Sequence, residues 1–326
     1  MFLLAALPEP SRIGDVLMAF LSILFEGAPY IMIGTVLSGL IAAFLDSRLL
    51  DKVLPKNRVV ATFAAGFLGL VFPVCECAVV PVIRRLVQKG LPVSCAVTYM
   101  LSAPIMNPIV AISTLTAFKE FQKVGGIGDI GNATMTLSRL SLGYLVAVIV
   151  GLIVLRFRPS QILQAKVVEG ISAPLPENAP PAPAKNFNAK LVHAMRTAMG
   201  DFLDTAMYFT IGVIITSVFN TQVNQSILDT VASSEWMALP AIMGLAMVLS
   251  LCSTSDAFIA APMAAFSMAA KLAFLVFGPM MDIKLLFMYS AVFKRRVVMA
   301  LLIGLFILIG CLSEPWMLVI QKLATK

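Results

Sequence analysis

The sequence predicts an all-α polytopic membrane protein, and three observations carry that prediction. Of its 326 residues, 60% are apolar and only 13% are charged, where soluble chains carry about 25% charge. Several apolar runs approach or exceed the ~20 residues needed to cross a hydrocarbon core. Those runs fill most of the chain, which excludes soluble two-domain, collagen-like, disulfide-rich and disordered readings. The net charge of +7 does not point to nucleic acid, because much of the Lys and Arg flanks apolar segments, where it sets membrane orientation. Five cysteines are an odd number and lie in or beside apolar runs, so a disulfide framework is not expected. With the lone histidine, His193, no zinc-type Cys/His array can form. Met1–Leu7 is apolar but lacks the basic start of a secretory signal.

The elements then fall into two halves. The first membrane repeat is residues 1–156, a Pro-rich cytoplasmic linker is residues 157–190, and the second repeat is residues 191–326. Phe157–Lys190 has no sustained periodicity and reads as largely flexible. On either side of it the same features recur. Glu26 to Gly34 matches Asp204 to Gly212, Val74-Cys75-Glu76-Cys77 matches Leu251-Cys252-Ser253-Thr254, and Ala103 to Asn107 matches Gly278 to Asp282. The offsets are about 175 to 178 residues, the mark of an internal duplication.

In chain order, Ile13–Leu45 is a long span containing Glu26 and Pro29. Val59–Val74 is an apolar arm that halts at Cys75-Glu76-Cys77, and Ala78–Gln88 is too short to cross alone. Leu91–Phe118 is a span interrupted at Pro104, and Thr134–Leu155 is a clean one. The second half repeats this as Thr197–Phe219, Met237–Leu251 with a break at Cys252–Asp256, Ala257–Ala270, Leu272–Phe293 with Pro279, and Val297–Leu312.

Loop charges suggest the threading. Arg48, Lys52, Lys56 and Arg58 place the first loop inside, as Arg84, Arg85 and Lys89 place the next turn. Both ends of Val59–Gln88 then lie on one side, which makes it a re-entrant hairpin. Arg156, Arg158 and Lys166 put the linker inside, and Lys294-Arg295-Arg296 do the same for the last tight loop. The expected architecture is therefore two inverted repeats, each with three full transmembrane helices and a re-entrant helical hairpin. The alternative, eight spans in parallel repeats, puts two of these basic loops outside, against the charge bias.

Inverted repeats with broken helices build midplane transport sites from unwound backbone and half-helix ends. The hairpin tips carry Cys75, Glu76 and Cys77, then Cys252, Ser253, Thr254, Ser255 and Asp256. The interrupted spans carry Asn107, and Asp282 with Lys284. An arm of about 16 residues descends ~24 Å, which sets these breaks near mid-depth. Cys75 and Cys77 would point about 200° apart on a regular helix, but an unwound turn lets both sulfurs face one cavity. Two thiolates suit soft, thiophilic species such as Cu(I) or trivalent arsenic, or sulfur-containing solutes. Cys252 could add a third sulfur, whereas Cys95 and Cys311 read as small apolar residues. Glu76 and Asp256 are acids that the bilayer penalises, expected as substrate contacts or proton carriers. Asp282 with Lys284 reads equally as a site or as a structural ion pair.

Other residues take plainer readings. Glu26 lies well inside its span, while Asp204 lies near a cytoplasmic end. Arg84, Arg85 and Lys89 read as anchors that snorkel to the headgroups. The 19 methionines are scattered without a repeated spacing and read as packing. His193 reads as solvated, and Gly125-Gly126-Ile127-Gly128 as a turn. With no Gly-Lys-Ser/Thr phosphate loop, ATP hydrolysis is not expected.

The run Phe72-Pro73-Val74-Cys75-Glu76-Cys77-Ala78-Val79-Val80-Pro81, followed by Leu101-Ser102-Ala103-Pro104-Ile105-Met106-Asn107-Pro108, resembles the bacterial YraQ-like predicted permeases. That family includes the ArsP-type efflux permeases for trivalent organoarsenicals. Leu251-Cys252-Ser253-Thr254-Ser255-Asp256-Ala257-Phe258 looks like its second-half signature. The likeness covers both halves but not the linker. It implies a multi-pass permease of the bacterial inner membrane, with Cys75, Glu76, Cys77, Asn107, Ser253, Ser255 and Asp256 as candidate site residues. The expected function is a secondary permease for a small thiophilic or sulfur- or metalloid-containing solute, with Cys252 and Asp282 completing the candidate set. The alternative is a membrane thiol–disulfide oxidoreductase using Cys75 and Cys77, although a one-residue spacing strains a disulfide and no quinone or haem ligands are visible. A purely structural membrane subunit is a third reading, disfavoured by the buried acids. No cofactor is expected. The expected partners are a small-molecule or ion substrate and the lipid bilayer, with homo-oligomerisation left open and nucleic acid excluded.

Overall fold

A computed structural model of the chain describes residues 10–45, 55, 57–72, 74–125, 130–165, 167, 187–220, 235–263 and 266–324. Its named elements are all helices. In the first half these are α1 (Pro10–Phe44), α2 (Arg58–Gly66), α3 (Leu68–Val71), α4 (Glu76–Gln88), α5 (Val93–Ser102), α6 (Pro108–Gly125), α7 (Ile130–Val154) and the single turn α8 (Pro159–Ile162). The second half contains α9 (Phe187–Asn220), α10 (Glu235–Leu249), α11 (Asp256–Ala260), α12 (Met268–Met280), α13 (Ile283–Tyr289) and α14 (Arg295–Ala324). Arg48, Lys52, Lys56, Lys166 and Gly126–Gly128, invoked above for threading or as a turn, lie outside the described residues, as do 168–186 of the linker.

Among the described residues, five segments are long and apolar enough to cross a membrane: Ile13–Phe44, Ala133–Val154, Phe187–Phe219, Met268–Tyr289 and Arg295–Ile320. The Met268–Tyr289 segment is 78% buried in its most apolar stretch and Ile13–Phe44 only 6%. The first is the spine of the fold, and the second faces outward.

Several expected spans come out differently, for local reasons. Leu91–Phe118 is two separate helices, α5 and α6, because Ala103–Met106 turn between them and Asn107 starts a new helix. In the second half the break falls at Met281–Asp282 instead of at Pro279, which sits in the last turn of α12. Pro279 removes one helical hydrogen bond, and Asp282 then caps α13 by accepting from Leu285 N–H at 2.7 Å. The expected arm Ala257–Ala270 yields only the five-residue α11 before α12 begins at Met268, cut short at Pro262, which has no N–H to donate to the Phe258 carbonyl. The helix after the linker begins at Phe187 and takes in His193.

The linker is also not loose from its start. Ile162 and Leu163 are buried, and Leu163 pairs with Phe293 in an isolated β-bridge. Lys294 N–H donates to the Ile162 carbonyl at 3.0 Å, and Gln164 N–H donates to Val292 at 2.9 Å. The end of the first half is therefore hydrogen-bonded to the turn between α13 and α14.

The longest helices of the two halves, α1 and α9, run antiparallel. Gly27 lies against Phe209 and Gly39 against the Ala194 carbonyl. Close approach to the interior then depends on two further glycines. A Cβ on Gly34 would sit 2.6 Å from the Ala78 Cβ on α4, and one on Gly212 would sit 2.7 Å from the Lys284 Cα on α13. No real Cβ tolerates another carbon at that distance, so each glycine lets a long helix press on a helix that carries a buried ionisable residue, Glu76 or Lys284.

Candidate functional site

The candidate site is assembled from three of the chain breaks. Phe72, Val74 and Cys75 lie outside the helical path, and Cys75 takes extended backbone at φ −74°, ψ 168° just before α4. Glu76 and Cys77 already lie in the first helical turn. The 200° separation of a regular helix does not apply across that cap, and both Cys75 and Cys77 line one small cavity. Pro81 further along α4 has no N–H and cannot donate the helical hydrogen bond to the Cys77 carbonyl. The partner break begins at Ser250, whose φ of +48° is the left-handed region that a side chain disfavours. That backbone presents the Ser250 carbonyl to Lys284 Nζ at 2.8 Å.

Charged groups knit these breaks together. Lys284 Nζ lies 3.4 Å from Glu76 Oε1 and 3.4 Å from Asp282 Oδ2. Ser253 Oγ, from the other half, donates to Glu76 Oε2 at 3.1 Å. Beside this lies a second pair. Arg139 on α7 donates to both Asp256 oxygens, at 2.6 and 3.0 Å, to the Ser253 carbonyl at 3.1 Å and to Thr114 Oγ1 at 2.7 Å. Glu76, Asp256, Asp282, Lys284 and Arg139 are all buried. Such groups persist in an apolar interior only when paired and hydrogen-bonded.

The cavity itself holds about 20 Å³, room for a single water. Cys75, Cys77 and Cys252 face it from the two tips, with Glu76 and Lys284. Glu26 and Tyr30 close it from α1, and both are exposed on their other side. Of the remaining candidates, Ser255 Oγ reaches Glu26 Oε1 at 3.4 Å. Ser253 contacts Glu76, Asp282 contacts Lys284, and Asp256 contacts Arg139. Asn107 stands apart: it is buried and accepts from Ile109 N–H at 3.0 Å, capping α6. Asn107 and Asp282, matched in the sequence, thus do the same job at matching breaks. Cys95 is buried, with Ser94 Oγ donating to its sulfur at 4.0 Å, and Cys311 is exposed. Among the described residues, no group of three or more His, Cys, Asp or Glu side chains could hold a metal ion.

Several features were not read from the sequence. Arg139 lies in the span taken as clean; a lone Arg amid apolar residues was the available signal. Asp201 was not singled out, and Arg85 is no mere anchor. Arg85 makes a two-pronged ion pair with buried Asp201, at 2.7 and 2.8 Å, and Ser38 Oγ donates to the same carboxylate at 2.7 Å. Arg84 pairs with the exposed Asp204 at 3.0 Å. Lys271 is buried, with Nζ donating to the Ala261 carbonyl at 2.9 Å. A much larger cavity of about 390 Å³, bounded by Leu37, Ala65, Val82 and Tyr99 among others, is apolar and holds none of the candidate residues.

Long apolar helices around a buried, charge-paired junction of broken helices define the chain as a multi-pass membrane transport protein. It belongs to the ArsP-type family described as predicted permeases, whose profile matches residues 12–313. It is 37% identical over 286 residues to UPF0718 protein YcgR of Bacillus subtilis (strain 168), covering 87% of this chain and 90% of that one. It is 33% identical over 312 residues to a putative two-component membrane permease complex subunit of Streptococcus mutans serotype c, covering 93% and 96%. No solved structure matches it. The oxidoreductase alternative draws no support from these relatives.

Proposed function

We propose that this protein is a secondary permease of the bacterial cytoplasmic membrane that passes a small thiophilic solute, sulfur- or metalloid-containing, between its two halves. The observation that carries the reading is the cavity where Cys75 and Cys77 of one half meet Cys252 of the other beside Glu76 and Lys284. Soft sulfur is the one chemistry that all three cysteines share. The cavity has room for a single water, so the form described is closed, and passage requires the halves to part around the tips.

The organisation behind this is a pair of inverted repeats, residues 1–156 and 191–326, joined by a cytoplasmic linker. Two features support it. The matched helices α1 and α9 run antiparallel, as inversion requires. Arg58–Leu70 and Met237–Leu249 are each too short to span, as arms that enter and return would be. Asn107 and Asp282 hold the breaks open as caps, and Ser253, Ser255 and Asp256 fix the second tip against Glu76, Glu26 and Arg139.

The test is thermal stabilisation of the purified chain by phenylarsine oxide, thiosulfate and Cu(I). Stabilisation by at least one of them is expected, lost in Cys75→Ser and Cys77→Ser and kept in Cys311→Ser. Full stabilisation and flux in the Cys75→Ser/Cys77→Ser double variant would refute sulfur contact as the basis of recognition.

A further inference from the structure

The buried charges around Lys284 do not sum to zero. Arg139 and Asp256 cancel each other, but Lys284 faces two carboxylates, Glu76 and Asp282, each at 3.4 Å. Its short hydrogen bond goes instead to the Ser250 carbonyl, at 2.8 Å. One Glu76 oxygen is occupied by Ser253 Oγ and one Asp282 oxygen by Leu285 N–H. Asp282 Oδ2, fully buried, accepts no hydrogen bond. A negative charge is thus left over among helices where apolar surroundings strongly disfavour it.

Resting on the permease reading, we propose that this remainder is a proton-binding site. The Glu76–Lys284–Asp282 cluster holds a proton when the halves are closed and releases it when they part, which couples permeation to proton movement. A proton fits the geometry better than a metal cation. A sodium ion would need an oxygen cage, and the nearby backbone carbonyls of Ser250 and Leu251 already accept from Lys284. The cavity beside Glu76 and Lys284 has room for a water, and Glu26 lines its exposed side. One water there would join Glu26 to Glu76, a carboxylate–water–carboxylate path from the surface of α1 to the buried cluster.

The other groups around the cluster leave it as the place for the proton. From α1, Glu26 and Tyr30 face the cavity, and from the tips Cys75, Cys77 and Cys252 do so. α9 contributes only the apolar Phe209 to the lining. Tyr289 on α13 donates its hydroxyl to the Met280 carbonyl at 3.0 Å. The Arg139–Asp256 pair behind Ser253 is already balanced.

Infrared difference spectroscopy of the full chain in lipid, recorded as pH is stepped, tests the site without any transported solute. A protonated-carboxyl band that grows as pH falls is expected. It should disappear in Glu76→Gln and in Asp282→Asn, and persist in Asp204→Asn. Asn caps a helix about as well as Asp, so Asp282→Asn keeps α13 in place while equalising the charges. A band that survives in both cluster variants, or no pH-dependent carboxyl band at all, overturns the proposal. So does a band removed by sodium at fixed pH. The coupling is read separately in vesicles loaded with a pH-sensitive dye under a phenylarsine oxide gradient. Flux accompanied by proton movement is expected in the native chain, with the proton movement lost in Asp282→Asn. Flux without proton movement overturns coupling and leaves the permease reading standing. Absence of flux alongside an intact infrared band counts against the permease reading and supports the proton site.

Discussion

Arg139 places four hydrogen bonds from its two terminal nitrogens on groups contributed by two separate segments, Thr114 of α6 and the Ser253–Asp256 tip. Taking away one member of such a buried pair strands the other, at a cost of about 3–5 kcal/mol. Arg139→Met and Asp256→Asn should each lower stability by that order, and the double variant should recover much of the loss. A double-mutant cycle on detergent-purified protein, read by unfolding, checks this. Arg139→Lys should behave like a disruption, since an ammonium cannot span both carboxylate oxygens as the guanidinium fork does. At Ser250 the strain is local to the backbone. Ser250→Gly should fold normally, whereas Ser250→Val, with a β-branch at positive φ, should lose about 1–3 kcal/mol. Melting curves of the two proteins separate these outcomes.

The elements are governed by where small residues and prolines fall. Gly34 admits α4 to within contact of α1, and Gly34→Val should therefore cost about 1–3 kcal/mol through overpacking. Gly14, earlier in the same helix, has nothing within 4 Å. Gly14→Ala should be neutral or stabilise by about 0.5–1 kcal/mol. Thermal unfolding of the pair of variants distinguishes contact from propensity. The same features explain what could be read in advance. Long apolar runs, the break after Val74 and the acid at each tip were visible as interruptions of composition. Pro262 was visible too, yet its effect on the arm after Asp256 was missed because Ala257–Ala270 is otherwise helix-favouring. The extent of the Phe157–Lys190 linker was overdrawn because Pro and Ala dominate it, while Ile162 and Leu163 are buried by residues more than a hundred positions away. Arg139 escaped because its partner, Asp256, is also remote in sequence. No local pattern announces a pairing made only in three dimensions.

At the scale of the molecule, the two halves meet at several places, among them α1 against α9, Glu76 with Ser253 and Lys284, Arg139 with Asp256, Arg85 with Asp201, and Leu163 against Phe293. The connecting residues between Val167 and Phe187 are then expected to carry no transport chemistry. Removing about ten residues from within 171–185 should leave flux unchanged, and a flux assay on correctly inserted protein checks it. Leu163→Asp should not be so mild, because it puts a charge where the side chain is fully buried.

The docking of residues 159–164 onto the turn before α14 has one more consequence. Those hydrogen bonds tie the end of the first half to the second without using the rest of the connection. A chain cut after Val167 still keeps this clasp, with the α1–α9 seam as its second hold. Residues 1–170 and 184–326, produced from separate messages in one cell, should find each other in the bilayer. A tag on either fragment should then purify both.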